Sequence, residues 1–182
     1  MQRLTGDYTA AAASQQQALD ISRDLGHRRV QATAIGNLGE VQMLTGNYSA
    51  AATSLTQALG MYCDIGDRGG QASVLNSLGE VLSLSGDSQQ ARDHHVRALA
   101  IAREISTPVE EAHALEGLGH CLLRDGHPGA AAAHWQQALA IYQRIGAPDA
   151  RRIQETLRQH RITTAPPPPS GESRQSGAPT AL

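Results

Sequence analysis

The stretch IGNLGEVQMLTGNYSAAATSLTQAL, residues 35–59, recurs in degenerate form at residues 75–99 and 115–139, and that recurrence decides the fold. Ala-Leu pairs stand at Ala18-Leu19, Ala58-Leu59, Ala98-Leu99 and Ala138-Leu139, each followed by an apolar residue at Ile21, Met61, Ile101 or Ile141. Leu38-Gly39, Leu78-Gly79 and Leu118-Gly119 form a second ladder, and Gly6, Gly46, Gly86 and Gly126 a third. A period of about forty residues is the signature of stacked structural units, each of which buries its apolar face only against its neighbours.

Within each period the apolar residues are spaced by three and four, which describes helices, and no segment alternates as a strand does. The expected fold is all-α. In the unit at 28–65, a helix A runs from Arg28 to Leu44 and a helix B from Tyr48 to Ile65, with Gly46 between them. Glycine suits the left-handed residue that closes a helix. Asn47, Asp7 and Asp87 can each cap the next helix through a side-chain oxygen. The B helices end at Gly26, Gly66 and Gly146; Asp67 can cap the A helix of the second unit, and Pro108 and Pro148 suit first-turn positions, where a missing N–H costs nothing. The expected organisation is a solenoid over 1–162, with a leading helix at 8–25, helix pairs at 28–65, 68–105 and 109–145, and a capping helix at 148–161. From 163 to 182 the composition turns to Pro, Ser and Gly, which predicts a disordered tail, and its run of four prolines reads as a spacer. The leading helix lacks a partner on one side, so another chain, or a portion upstream, is expected to cover it.

The formal charge of -2, from 15 basic and 17 acidic residues, gives no electrostatic footprint for nucleic acid or anionic lipid. Every basic residue is Arg, a bias that reflects a GC-rich genome and not a mechanism. No secretory leader and no membrane-length apolar run is apparent, so the expected location is cytoplasmic. Cys63 and Cys121 lie on different helices, and isolated thiols in such a chain read as small buried apolar groups, unbridged.

The order Ile35-x-x-Leu38-Gly39, then Gly46-Asn-Tyr48, Ala51, Leu55 and Ala58, resembles the tetratricopeptide repeat. The offsets from Gly39 to Ala51 and Ala58 recur at Gly79, Ala91 and Ala98 and at Gly119, Ala131 and Ala138. The departures are the longer period and the absence of proline late in helix B, where Cys63, Arg103 and Gln143 stand. The resemblance covers about residues 6–146 and implies a right-handed α-solenoid of antiparallel helix pairs. Longer units of this kind resemble the arrays of kinesin light chains, spindle-orientation adaptors, bacterial signal-transduction ATPases and antibiotic-pathway regulators. The all-Arg, Ala-rich composition favours the bacterial regulators, in which such an array ends the chain.

In that family helix A lines a concave groove, and helical geometry picks out the stripe that would face it. The first unit supplies Thr33, Gly36, Asn37, Glu40 and Leu44; the second Ser73, Asn76, Ser77, Glu80 and Leu84; the third His113, Glu116, Gly117, His120 and Arg124. Asn and Ser there can exchange hydrogen bonds with an extended peptide, and Glu40 and Glu80 would attract a basic side chain or free amine. A solvated polar face is the competing reading. His113, Glu116 and His120 share a face, but the two imidazoles are about 10 Å apart along the helix, too far for one metal ion, and no zinc motif supports a site. His95 occupies the slot of Leu55 and Trp135 and reads as a half-buried packing histidine. Arg151, Arg152, Arg158 and Arg161 read as a solvated basic face.

No phosphate-binding glycine loop, no GxSxG elbow and no carboxylate pair with an identifiable cleft appears, so neither catalysis nor a cofactor is expected. The function expected is binding of a protein or peptide partner in the groove, with no nucleic acid and no membrane. The alternatives are the sensor part of a bacterial transcriptional or signalling regulator, and self-assembly as a homodimer through the uncovered first helix.

Overall fold

The computed structural model describes residues 2–160, with side chains described from Tyr8 onward. Eight helices succeed one another: α1 (Gln2–Asp24), α2 (Arg28–Leu44), α3 (Tyr48–Asp64), α4 (Arg68–Ser85), α5 (Ser88–Glu104), α6 (Pro108–Arg124), α7 (Pro128–Ile145) and α8 (Asp149–Gln159). Among the described residues there is no strand. Each helix packs on the next, and the A helices α2, α4 and α6 also touch in succession, so helix pairs stack into an α-solenoid.

The turns are written into the chain. Gly26, Gly46, Gly66, Gly86, Gly126 and Gly146 all take positive φ, the region that costs an L side chain about 1–2 kcal/mol. Ser106 holds the same place at φ 54 and is the one non-glycine among the described residues to do so. Asn47, Asp67 and Asp87 accept from the backbone N–H of Ala50, Gly70 and Gln90 at 3.4, 3.1 and 3.0 Å. Pro108 and Pro128 open α6 and α7. One expected turn does not form: α1 begins at Gln2 and runs on through Gly6 and Asp7 without a break. In the later units a B helix folds back on its own A helix, and that packing offsets the cost of breaking the helix. Among the described residues no helix precedes α1, and the chain there stays continuous.

The core is a strip built on small residues. Ala32, Ala51 and Ala58 of the first unit are wholly buried, as are Ala72, Ala91 and Ala98 and then Ala112, Ala131 and Ala138. Over each Leu-Gly step lies a larger side chain from helix B. A Cβ on Gly39 would stand 2.8 Å from Leu55 Cγ, on Gly79 2.5 Å from His95 Nε2, and on Gly119 2.4 Å from Trp135 Nε1. Glycine inside a helix costs about 1 kcal/mol against alanine. Burial of one Leu or Trp against the hollow returns more, about 2 kcal/mol. His95, expected to be half-buried, is buried outright, because Gly117 of α6 opens a second hollow against the same ring, where a Cβ would come within 2.2 Å. Cys121 is buried as expected, but Cys63 is exposed: it shares the outward side of α3 with Thr56 and Gly60, two helical turns and one turn away.

Ion pairs tie A to B within units but sit in solvent. Arg28–Asp64 (3.0 Å) and Arg68–Glu104 (2.5 Å) hold one register in successive units, and Pro108 and Arg144 break it in the third. Exposed pairs of this kind contribute about 0–1 kcal/mol each. Stability therefore lies in the glycine hollows. Gly119→Ala should lose about 1–3 kcal/mol through overpacking in spite of its helix-propensity gain. Gly60→Ala, with nothing within 4 Å of the added methyl, should gain about 0.5–1 kcal/mol. Thermal melts of the two variants check the contrast, and equal shifts would remove the hollow from the argument.

Candidate functional site

Helix A of each unit turns one edge to solvent, and the structure sorts the expected stripe into three kinds of position. The first is closed. Gly36, Asn76 and Glu116 occupy one register and are all buried, the last two at 8% and 7% exposure. Asn76 bridges three helices: its Nδ2 donates to the Glu110 backbone carbonyl at 3.1 Å and to Glu110 Oε2 at 2.9 Å, while its Oδ1 lies 3.4 Å from His95 Nδ1. Glu116 is held more tightly still. Arg152 of α8 donates to both of its oxygens, through Nη2 at 3.0 Å to Oε2, and Tyr142 OH donates to Oε2 at 3.1 Å. Trp135 Nε1 donates to its backbone carbonyl at 3.2 Å. Asn76 and Glu116, expected as groove contacts, are braces between helices. The signal was in the sequence: register 36 lies one turn from both Ala32 and Gly39, the closest-packed positions of the helix, and Gly36 itself marks the crowding.

The second kind is half-open and tied to a neighbour. Asn37 Nδ2 donates to Gln15 Oε1 of α1 at 3.3 Å, and Ser77 Oγ donates to Glu40 Oε1 of α2 at 3.2 Å. Each therefore reaches back across a seam. Ser73 and His113 are also half-buried, with His113 Nδ1 3.9 Å from Glu110 Oε2 and its ring 5.9 Å from Tyr142. Burial by itself pushes the Glu110 carboxyl up, but hydrogen bonds from His113, Asn76 and Ser73 and the His113 charge bring it below its ordinary value.

The third kind is open. Thr33, Glu40, Leu44, Glu80, Leu84, His120 and Arg124 line the solvent edge, Glu40, Leu44, Glu80, Leu84, His120 and Arg124 standing at or near the surface and Thr33 close beside them. Thr33 shares a 2.9 Å hydrogen bond with Tyr62 OH, and Arg124 donates to the Ser83 carbonyl. Desolvation lowers the His120 pKa; its ring meets Trp135 edge-on at 5.2 Å, and Nε2 is 3.7 Å from Glu116 Oε1. His113, Glu116 and His120 are not gathered round one point, since Glu116 is occupied by Arg152 and His113 by Glu110. Among the described residues no three His, Cys, Asp or Glu side chains form a metal set.

Sequence reasoning missed Arg152. It lay in the basic cluster of α8 read as a solvated face, and its side chain stays 53% exposed, but its guanidinium reaches back to Glu116 and ties α8 to α6, next to Trp135, on which His160 stacks at 5.5 Å. Nothing in the spacing of α8 singles Arg152 out from Arg151; only the position of Glu116 does.

Paired helices in register, with one repeating edge of each pair open, define a helical-repeat scaffold. A family model described as tetratricopeptide repeat matches residues 1–64 and 70–144, and the chain belongs to that family, whose members act generally as protein-interaction scaffolds. No curated relative matches in sequence. Among solved structures the chain is similar to BtubC (BKLC) from P. vanneervenii, with a TM-score of 0.71 and 16% identity over 84% of this chain. The match covers 65% of that chain, and an identity so low shows a shared fold alone. No helix among the described residues is long and apolar enough to cross a membrane.

His95 makes the second-unit seam sensitive to acid. Burial first, then the charges of His94 and His120, lower its pKa from 6.5 to about 4. As pH falls through 6.5 the unfolded chain takes up a proton that the folded chain refuses until about pH 4. Stability from this group is therefore full above pH 6.5 and declines toward pH 4, by about 3 kcal/mol in all. His94 and His120, both lowered by desolvation first, act in the same direction. Denaturant melts at pH 7 and pH 4.5 should show the loss, and His95→Leu, which installs the residue found at position 55, should flatten most of the slope. An unchanged slope in that variant would refute the assignment.

Proposed function

We propose that this chain is a non-catalytic scaffold that holds a segment of a protein partner along the open edges of α2, α4 and α6, and that it works in the cytoplasm. One observation carries the reading: the exposed residues of the A helices repeat in register, Glu40 with Glu80 and Leu44 with Leu84, while Asn76 and Glu116, one turn before Glu80 and His120, are consumed in bracing the stack. A solvated face needs no such repetition of large apolar side chains. The contacts are assigned to Thr33, Glu40, Leu44, Glu80, Leu84, His120 and Arg124, with Asn37, Ser73 and His113 at the margin. Asn76 and Glu116 act on the partner only through the shape of the face. A photo-crosslinking amino acid placed at Leu84 should capture the partner in the native cytoplasm, and the same group at Gln57, on the outward side of α3, should not. Capture at 57 with none at 84 would refute the reading.

A second reading rests on α1. Ile21 and Leu25 are exposed, whereas Ile101, the counterpart of Ile21, is buried in a cluster with Ala72 and Leu75 of α4 and Ala114 of α6. The corresponding face of α1 has no such cover among the described residues and is suited to a second copy. Multi-angle light scattering at micromolar concentration should then give a dimer that Ile21→Ser with Leu25→Ser converts to a monomer; a wild-type monomer would rule self-association out.

A further inference from the structure

Two lines of side chains cross the A helices. Glu40 and Glu80 form one. Leu44 and Leu84 form the other, one helical turn further along, at 58% and 50% exposure. Among the described residues neither glutamate is paired with an arginine, although arginines elsewhere on the surface pair with Asp64, Glu104 and Glu111. Each unit thus offers an acceptor-rich negative group beside a bare apolar one. Both lines end at the third unit, where His120 and Arg124 take the same registers and Arg124 brings the opposite charge.

The distance between rungs sets the shape of the occupant. Neighbouring packed helices lie about 8–10 Å apart, and the contact of Ser77 Oγ on α4 with Glu40 Oε1 on α2 fits that spacing. An α-helical ligand returns a residue to the same face only at every seventh position, after about 10.5 Å, just beyond that spacing. A polyproline-II segment rises about 3.1 Å per residue with three residues per turn, so every third residue returns to the same face after about 9 Å.

Resting on the reading of the A-helix edge as a binding surface, we propose that it takes an extended, polyproline-II-like segment of a protein partner in which a basic residue followed by an apolar one recurs at every third position. The basic side chains meet Glu40 and Glu80, the apolar ones cover Leu44 and Leu84, and the basic stretch stops at Arg124. The preformed conformation reduces the ordering cost of binding, and the charge pairing supplies orientation and rate.

A fluorescein-labelled peptide of repeated Arg-Leu-Pro triplets tests this by anisotropy on the full chain. It should bind, weaken as salt is raised, and weaken about tenfold or more against Glu40→Gln with Glu80→Gln, and again against Leu44→Ser with Leu84→Ser. Repeated Glu-Leu-Pro and Arg-Ser-Pro peptides should bind far less. Equal binding of the Glu-Leu-Pro peptide, or indifference of Arg-Leu-Pro to both double variants at unchanged melting temperature, overturns the proposal. A random peptide library selected on the wild-type chain distinguishes failure of the motif from failure of the surface. Selected peptides without the basic–apolar triplet that still lose binding on the leucine double variant overturn this inference and leave the binding face standing. A selection in which no peptide responds to either variant overturns both.

Discussion

Close approach of helices through missing side chains is the constraint on which this molecule depends. At Gly39, Gly79 and Gly119 there is no room for a methyl group, because Leu55, His95 and Trp135 fill the space it would occupy. The alanines around them are buried completely for the same reason. With helix A and helix B held this near, the edge of each A helix is left open, and the same geometry repeats in the next unit. Register and the repetition of surface residues both derive from that contact.

The residue in the hollow differs from unit to unit, and so does what each seam can tolerate. Leu55 makes a dry contact. Trp135 adds a donor that the Glu116 carbonyl accepts, and it supports the end of the stack where His120 and His160 lie against it. His95 brings a polar ring into a space shaped by two glycines and finds its partner in Asn76, which in turn is held by Glu110. A buried polar group is costly unless it is satisfied, and here one hydrogen-bonded chain joins α5, α4 and α6. The last unit solves a related problem with charge. Glu116 is desolvated but receives a guanidinium and a phenol, so α8 is attached by a specific contact as well as by Ile153 and Leu157. Removing Arg152 would leave the buried Glu116 carboxylate without its guanidinium, a loss larger than the half-exposed pair contributes net.

The candidate face was legible in part. Glu40, Glu80 and His120 reach the solvent edge where helical geometry placed them, because period and helical rise alone determine which side of α2, α4 and α6 points away from the B helices. Asn76 and Glu116 were drawn from the sequence onto the same edge, and they lie inside. Their polarity suggested solvent, but their register put them beside Ala72 and Gly79, and Ala112 and Gly119, where neighbouring helices are closest. Polarity reports what a side chain needs; register reports where the backbone takes it. When the two conflict, as at Glu116, the side chain is buried and a partner is brought to it.

The amino-acid sequence by itself determined the helices, the turns between them and the pairs that stack, since each is set by local chemistry: glycine at positive φ, a carboxylate or amide at an N-cap, apolar spacing of three and four. It also determined membership of the tetratricopeptide family, whose signature is that same local spacing. Only the tertiary structure decided that α1 runs through Gly6-Asp7, that Cys63 faces out, that His95 is sealed between two units, and that Arg152 turns back to Glu116. Each of these depends on what lies across a seam, tens of residues away along the chain. A one-dimensional pattern specifies the unit, and the packing of unit against unit decides which of its polar groups are left for a partner.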